Sequence, residues 1–209
     1  MTSSSANNLD ARPLLFTPIT IRGLVMRNRI IASPMCQYLS VDGAPNDWQL
    51  MHLGRLAIGG CGVVFGEETA VEPDGRKTHN CAGLYKQSHV ASYRKITDMI
   101  RSNGALPAIQ LGHSGRKGSC HDAMRDWRAL NNSDAENDLP PWQVMTPTAA
   151  ISPPRPIPHR EMDQDDINRV VDDFRTATKR SIDAGYDIVE IHGAHGYLIS
   201  QFLGEKTNF

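Results

Sequence analysis

The chain lacks most of the features that mark a specialised class of protein. Nowhere in its 209 residues is there an apolar run near the roughly 20 residues that a membrane-spanning helix takes. The Ser/Asn-rich start, Met1 to Leu9, has neither the basic segment nor the apolar one that opens a secretory leader. The expectation is a cytoplasmic protein without membrane contact, with residues 1–13 as a disordered leader. Cysteine is sparse: Cys36, Cys61, Cys81 and Cys120 stand far apart with no Cys-x-x-Cys pair, which argues against a zinc ribbon or a disulfide-built framework. A predominant charge is absent too, because 22 basic and 23 acidic residues are interspersed. That leaves no patch suited to a nucleic-acid backbone or an anionic lipid surface, and a small ligand fits better than either.

What is present is an alternation of short apolar runs with amphipathic ones. Leu14 to Met26 reads as two β-rich runs broken at Arg22-Gly23, a hairpin placed to cover the bottom of a larger sheet. Arg29–Ser33 reads as a strand stopped by Pro34, and Asp47–Ile58 as a helix opened by an Asp N-cap and closed by Gly59-Gly60. The pattern recurs with a strand at Gly62–Gly66 and a helix at Ser88–Asn103, ended by Gly104, then a strand at Ala105–Leu111. Asp163 caps a further helix that ends at Gly185, and Tyr186–Ile191 is the fourth strand. Alternation of this kind implies parallel pairing through right-handed crossovers. The fold expected over residues 14–209 is α/β: a TIM (β/α)8 barrel truncated to about its first four strands, with an N-terminal β-hairpin. Residues of about 114–162, rich in Pro, Asn, Asp and Trp, are too long for a simple connection and read as a functional loop over the site.

Parallel α/β folds place their chemistry at the carboxyl ends of the strands, and here each strand end carries polar or sulfur groups. Cys36 and Tyr38 follow the first, Glu67 and Glu68 the second, Gln110 and His113 the third, and His192, His195 and Tyr197 the fourth. The His192-x-x-His195 pair could share a metal ion with His113 as a third ligand. Glu67 and Glu68, being neighbours on an extended chain, point to opposite faces, one to the barrel and one to a helix. Cys36 also has a plain reading as a small buried filler, and Arg116-Lys117 reads either as a cation pair near the site or as a solvated loop, with no named role.

Four motifs in order narrow the choice: Ser33-Pro34-Met35-Cys36-Gln37-Tyr38, Thr69-Ala70-Val71-Glu72-Pro73-Asp74-Gly75-Arg76, Gln110-Leu111-Gly112-His113-Ser114-Gly115-Arg116-Lys117, and His192-Gly193-Ala194-His195-Gly196-Tyr197-Leu198. In combination they resemble the old yellow enzyme family of flavin-dependent ene-reductases, in its xenobiotic-reductase-like branch, from about Leu14 to Leu203. The resemblance implies an FMN across the barrel top, reduced by NADPH or NADH, with ping-pong transfer of hydride to the activated C=C bond of an enone, or to a nitro compound. By the same analogy Pro34 and Met35 give backbone contacts to the isoalloxazine, Gln110 bonds its pyrimidine edge, and Cys36 touches the flavin and tunes it. His192 and His195 donate to the substrate carbonyl, Tyr38 orients the substrate, and Tyr197 supplies a proton. Glu68 stands next to the flavin where the family usually has a small residue.

Family members continue past Gln201-Phe202-Leu203 with further strands that hold the FMN phosphate, whereas this sequence departs at Gly204 and ends at Phe209. Two expectations follow. The open first and fourth strands favour self-association, and the alternative to an ene-reductase is a non-catalytic half-barrel fragment unable to hold FMN.

Overall fold

A computed structural model of the protein describes residues 12–150 and 156–209. The expected leader lies, through residue 11, outside the described residues, as does a short stretch of the insertion. In chain order the elements are β1 (Ile19–Ile21), β2 (Leu24–Met26), β3 (Ile31–Ala32), α1 (Asp47–Ile58), β4 (Val63–Ala70), α2 (Val90–Ser102), β5 (Leu106–Gly112), β6 (Val144–Thr146), β7 (His159–Glu161), α3 (Gln164–Asp183), β8 (Ile188–Ile191) and α4 (Leu198–Leu203). The hairpin β1-β2 turns through Arg22 and Gly23, at φ of 49° and 84°. Two successive left-handed residues give the twist that antiparallel neighbours prefer.

The central sheet has the order β3-β4-β5-β8 with every neighbouring pair parallel. It is an open sheet between two unlike layers. Val64 packs outward with Leu53, Ala57, Ile96 and Ile100 of α1 and α2. Ile109 and Leu111 pack outward against Tyr93, Ala177 and Tyr186. On the opposite face Met26 of the hairpin closes over Val63 and Ala108, with Ile19 beside it. The hairpin therefore plugs the amino ends of the strands on their inner face, and their carboxyl ends stay open above it. The described part of the insertion holds short 3-10 turns and the parallel pair β6-β7. Among the described residues no helix is long and apolar enough to cross a membrane.

Three local expectations are corrected. The N-cap of α1 is Asn46, not Asp47: its side chain accepts from the Trp48 amide at 2.9 Å while Gln49 Oε1 accepts from the Asn46 amide at 3.0 Å, a reciprocal box that an Asp47 cap could not complete. The second strand does not stop at Gly66 but continues through Glu67, Glu68 and Thr69 to Ala70, because β5 resumes pairing at Glu68, Thr69 and Ala70. Helix α2 begins at Val90, preceded by a 3-10 turn at Gln87–His89.

Arg27, just after the hairpin, fastens the layers together. Its guanidinium donates to the carbonyls of Ala57 (2.7 Å), Cys61 (2.9 and 3.1 Å) and Asn103 (2.7 Å). These carbonyls close α1 and α2, where the helix dipoles favour a cation. Replacing Arg27 by Leu strands these acceptors, so a loss of about 2–3 kcal/mol is expected, read as a lower urea midpoint at unchanged slope.

Candidate active site

The parallel register sets three polar residues side by side on the inner face: Glu68 of β4 opposite Gln110 of β5, and Gln110 opposite Glu190 of β8. A register shift between Phe65 and Glu68 puts three β4 residues against two of β5. This bulge brings both Phe65 and Glu68 to the inner cleft and turns Glu67 to the other side. There Glu67 accepts from the Gln37 amide at 2.8 Å and from Gln49 of α1 at 3.3 Å. Burial raises the Glu67 pKa, against those hydrogen bonds. Gly112 stands beside Glu68 because a Cβ there would collide with its carboxylate.

Above this row lies a cleft of about 450 Å³ that gathers Pro34, Cys36, Glu68, Gln110, His192, His195 and Tyr197, with Ile31, Phe65, Lys77 and Glu190. Tyr38 borders it, edge-on to Trp127 of the insertion at 5.3 Å and 5.9 Å from Lys77 Nζ. Met35 is not part of that lining and borders a separate small cavity beside α1. His113 also leaves the cleft. Buried, it donates from Nε2 to Glu72 at 2.7 Å while its Nδ1 accepts from the Gly115 amide at 3.0 Å. Among the described residues no cluster of three His, Cys, Asp or Glu side chains could hold a metal ion.

The histidine motif is held by its neighbours. The His192 amide donates to Leu111 O (2.8 Å) and the Leu198 amide to His113 O (2.9 Å). Lys117 Nζ bonds His195 O at 2.5 Å, and the fully buried Gln201 donates to Gly196 O at 2.7 Å. These contacts bracket His195, whose φ is 56°, a left-handed conformation that costs a non-glycine residue energy and persists only where its surroundings fix it. His195 Nδ1 and His192 Nε2 lie 3.2 Å apart, in hydrogen-bond contact, and both rings stand edge-on to Tyr197 at 5.0 and 6.2 Å. Burial lowers the His192 pKa and raises that of Tyr197, against the opposing effect of Lys77. At neutral pH the site therefore presents a neutral imidazole beside a protonated phenol.

Lys77, Glu190, Lys117 and Gln201 join the site although no sequence motif gives them a role there. Lys77 had no visible signal, since its partner Glu68 is nine residues away across a turn. The Lys77 ammonium is ion-paired with Glu68, both side chains almost fully buried. Burial opposes the lysine's charge, but Glu68 together with Cys81, Cys36 and Tyr197 holds the ammonium well above its ordinary value.

Residues 14–209 match the NADH:flavin oxidoreductase / NADH oxidase family. An NADH:flavin oxidoreductase of Gibberella zeae is 38% identical over 198 residues, 93% of this chain and 47% of that protein. The NADPH dehydrogenase of Bacillus subtilis is 34% identical over 196 residues, 93% of this chain and 52% of that one. Among solved structures, morphinone reductase in complex with tetrahydroNAD superposes with a TM-score of 0.77 at 26% identity, covering 94% of this chain and 54% of that one. The chain thus spans about half the length of the curated relatives it matches.

Burial raises the Cys36 thiol to about 11, against the opposing effect of Lys77, so it is not a preformed thiolate. Alkylation of Cys36 by iodoacetamide, followed by peptide mass spectrometry, should quicken about tenfold per pH unit between about pH 8 and 10. A flat rate over that range would show the thiolate already formed.

Proposed function

Because this chain belongs to the NADH:flavin oxidoreductase / NADH oxidase family, we propose that its cleft serves an FMN-dependent, NAD(P)H-linked oxidoreductase that reduces the activated C=C bond of α,β-unsaturated carbonyl compounds. The observation that carries this reading is the convergence of Cys36, Gln110, His192, His195 and Tyr197, from three strand ends, on one cleft. The ring of FMN suits the lining. Pro34, Ile31 and Phe65 provide apolar wall, the Gln110 carboxamide lies within it, and the buried Glu68 Oε1 has no hydrogen-bond partner of its own. An edge carrying both N–H and C=O groups answers that pairing. The phosphate is served less well: among the described residues lining the cleft Lys77 is the one lysine or arginine, and Glu68 holds it. This feature favours, as a second reading, a half-barrel that binds no FMN by itself.

A bound FMN would supply the hydride transfer from the nicotinamide to the substrate. The chain's own residues do the rest. The substrate oxygen takes the place of the His192–His195 contact and accepts from both rings, which stabilises the enolate-like charge by roughly 3 kcal/mol per donor. Tyr38 and Trp127 form an aromatic wall at the mouth that orients the substrate. Tyr197, protonated at neutral pH, gives its proton to the α-carbon. Cys36, a neutral thiol beside the ring site, tunes the flavin through a weak hydrogen bond rather than as a nucleophile. The half-exposed Ile31 and Ile191 on the two edge strands support self-association through those edges, and light scattering is expected to show a species larger than a monomer.

The full chain mixed with excess FMN and desalted is expected to stay yellow, to bleach with NADPH or NADH, and to recolour with cyclohexenone. Tyr197→Phe is expected to slow recolouring by about 10²-fold or more while leaving bleaching intact. The His192→Ala, His195→Ala double variant is expected to weaken capture of the enone. A colourless chain after desalting would favour the second reading.

A further inference from the structure

The Lys77–Glu68 pair is the least explained group in the cleft. A buried ion pair gives little stability compared with an apolar pair of the same size, and this one stands with side chains 3% and 5% exposed in the lining of the cleft itself. It also has a direction. Glu68 holds Lys77 by Oε2 only, and the ammonium faces two phenol rings, Tyr197 at 5.1 Å and Tyr38 at 5.9 Å from the ring centres.

Charged and titratable groups face Tyr197 from every side. His192 and His195 come from its own segment, Lys117 stands at 5.5 Å from the 3-10 turn Gly115–Lys117, and Lys77 and Glu68 lie beneath. Cys36 and Cys81 complete the set. The two cations differ in setting. The hydrogen bond from Lys117 to His195 O lies at the exposed rim, where water and salt screen its field. Lys77 is buried, where a charge acts with the least screening.

We propose that Lys77 is a positioning residue of this site, whose ammonium, fixed by Glu68 beneath the Tyr197 ring, stabilises the negative charge left on the Tyr197 oxygen as that phenol gives up its proton. The inference rests on the proton-donor role proposed for Tyr197. In that step the Tyr197 O–H bond breaks and its electron pair stays on the phenol oxygen. The proton bonds to the substrate α-carbon through the electron pair of the enolate-like anion, and water restores the phenol afterwards. Lys77 exchanges no proton. Glu68 keeps it in place and cancels most of its long-range charge, so the field is felt chiefly by the rings nearest to it.

The test places 3-fluorotyrosine at position 197 of the full chain without cofactor and follows its ionisation by fluorine NMR. Lys77→Met should raise the proton affinity of the phenol about tenfold, one pH unit, and Lys77→Arg should restore it. Should Lys77→Met fail to fold, Glu68→Leu combined with Lys77→Met removes both charges, an exchange that buried pairs often tolerate. A severalfold shift in the same direction is expected there. An ionisation unchanged in whichever variant folds overturns the proposal. A second arm follows the pH dependence of enone-driven reoxidation in the FMN-loaded chain. Reoxidation with no shift at position 197 leaves the proposed function standing and removes Lys77 from it, whereas a shift without reoxidation keeps the Lys77–Tyr197 coupling and removes the ene-reductase reading.

Discussion

Parallel pairing of β4, β5 and β8 is the constraint from which the cleft follows. It places Glu68, Gln110 and Glu190 in one row, and Gln110 donates across it to Glu190 at 3.0 Å. A one-residue slip in any of these strands would turn the row to the helix side and bury carboxylates among apolar residues. The outward apolar set, Val64, Ile109 and Leu111, makes such a slip costly, because it would lose its core contacts at the same moment. The packing of the helices thus fixes the polarity of the opposite face.

On that floor the cleft combines neutral donors with a compensated pair of charges. His192, Tyr197 and Cys36 are held neutral by burial at ordinary pH, so these groups meet a ligand as hydrogen-bond donors, beside the carboxyl group of Glu190. Lys77, the one lysine or arginine among the described residues of the lining, is balanced within its own contact distance by Glu68. Motif rigidity complements this: Lys117, Gln201 and two backbone bonds hold the turn carrying both histidines. Little ordering is then left to be done when a ligand arrives.

The sequence made the outline of this fold legible because its punctuation is strong. Gly59-Gly60, Gly104 and Gly185 end the helices where the apolar periodicity predicts, and the hairpin at Arg22-Gly23 appears with its left-handed turn. Polar content misled at β4, whose end carries Glu67, Glu68 and Thr69 yet is held by pairing to β5. The α1 cap was readable from Asn46 and Gln49 at box spacing, a signal that Asp47 obscured. Of the groups anticipated at the strand ends, those on the inner face came together. His113 did not, since Glu72 and Gly115 occupy both its nitrogens. Lys77 could not be foreseen, because its place depends on how a turn after β4 folds back over the strand, which no local pattern encodes.

The bulge in β4 gives this design an arithmetic of its own. With one extra residue between Phe65 and Glu68, the alternation of sides inverts midway along the strand, so the same segment is read in one phase below and in the opposite phase above. Which of two adjacent acids meets the ligand and which meets the helix is therefore decided by a count, not by the identity of either. Straightening the bulge at unchanged chain length would exchange the two, without altering any functional side chain. Homologous sites in such folds are thus better aligned by strand phase than by residue type.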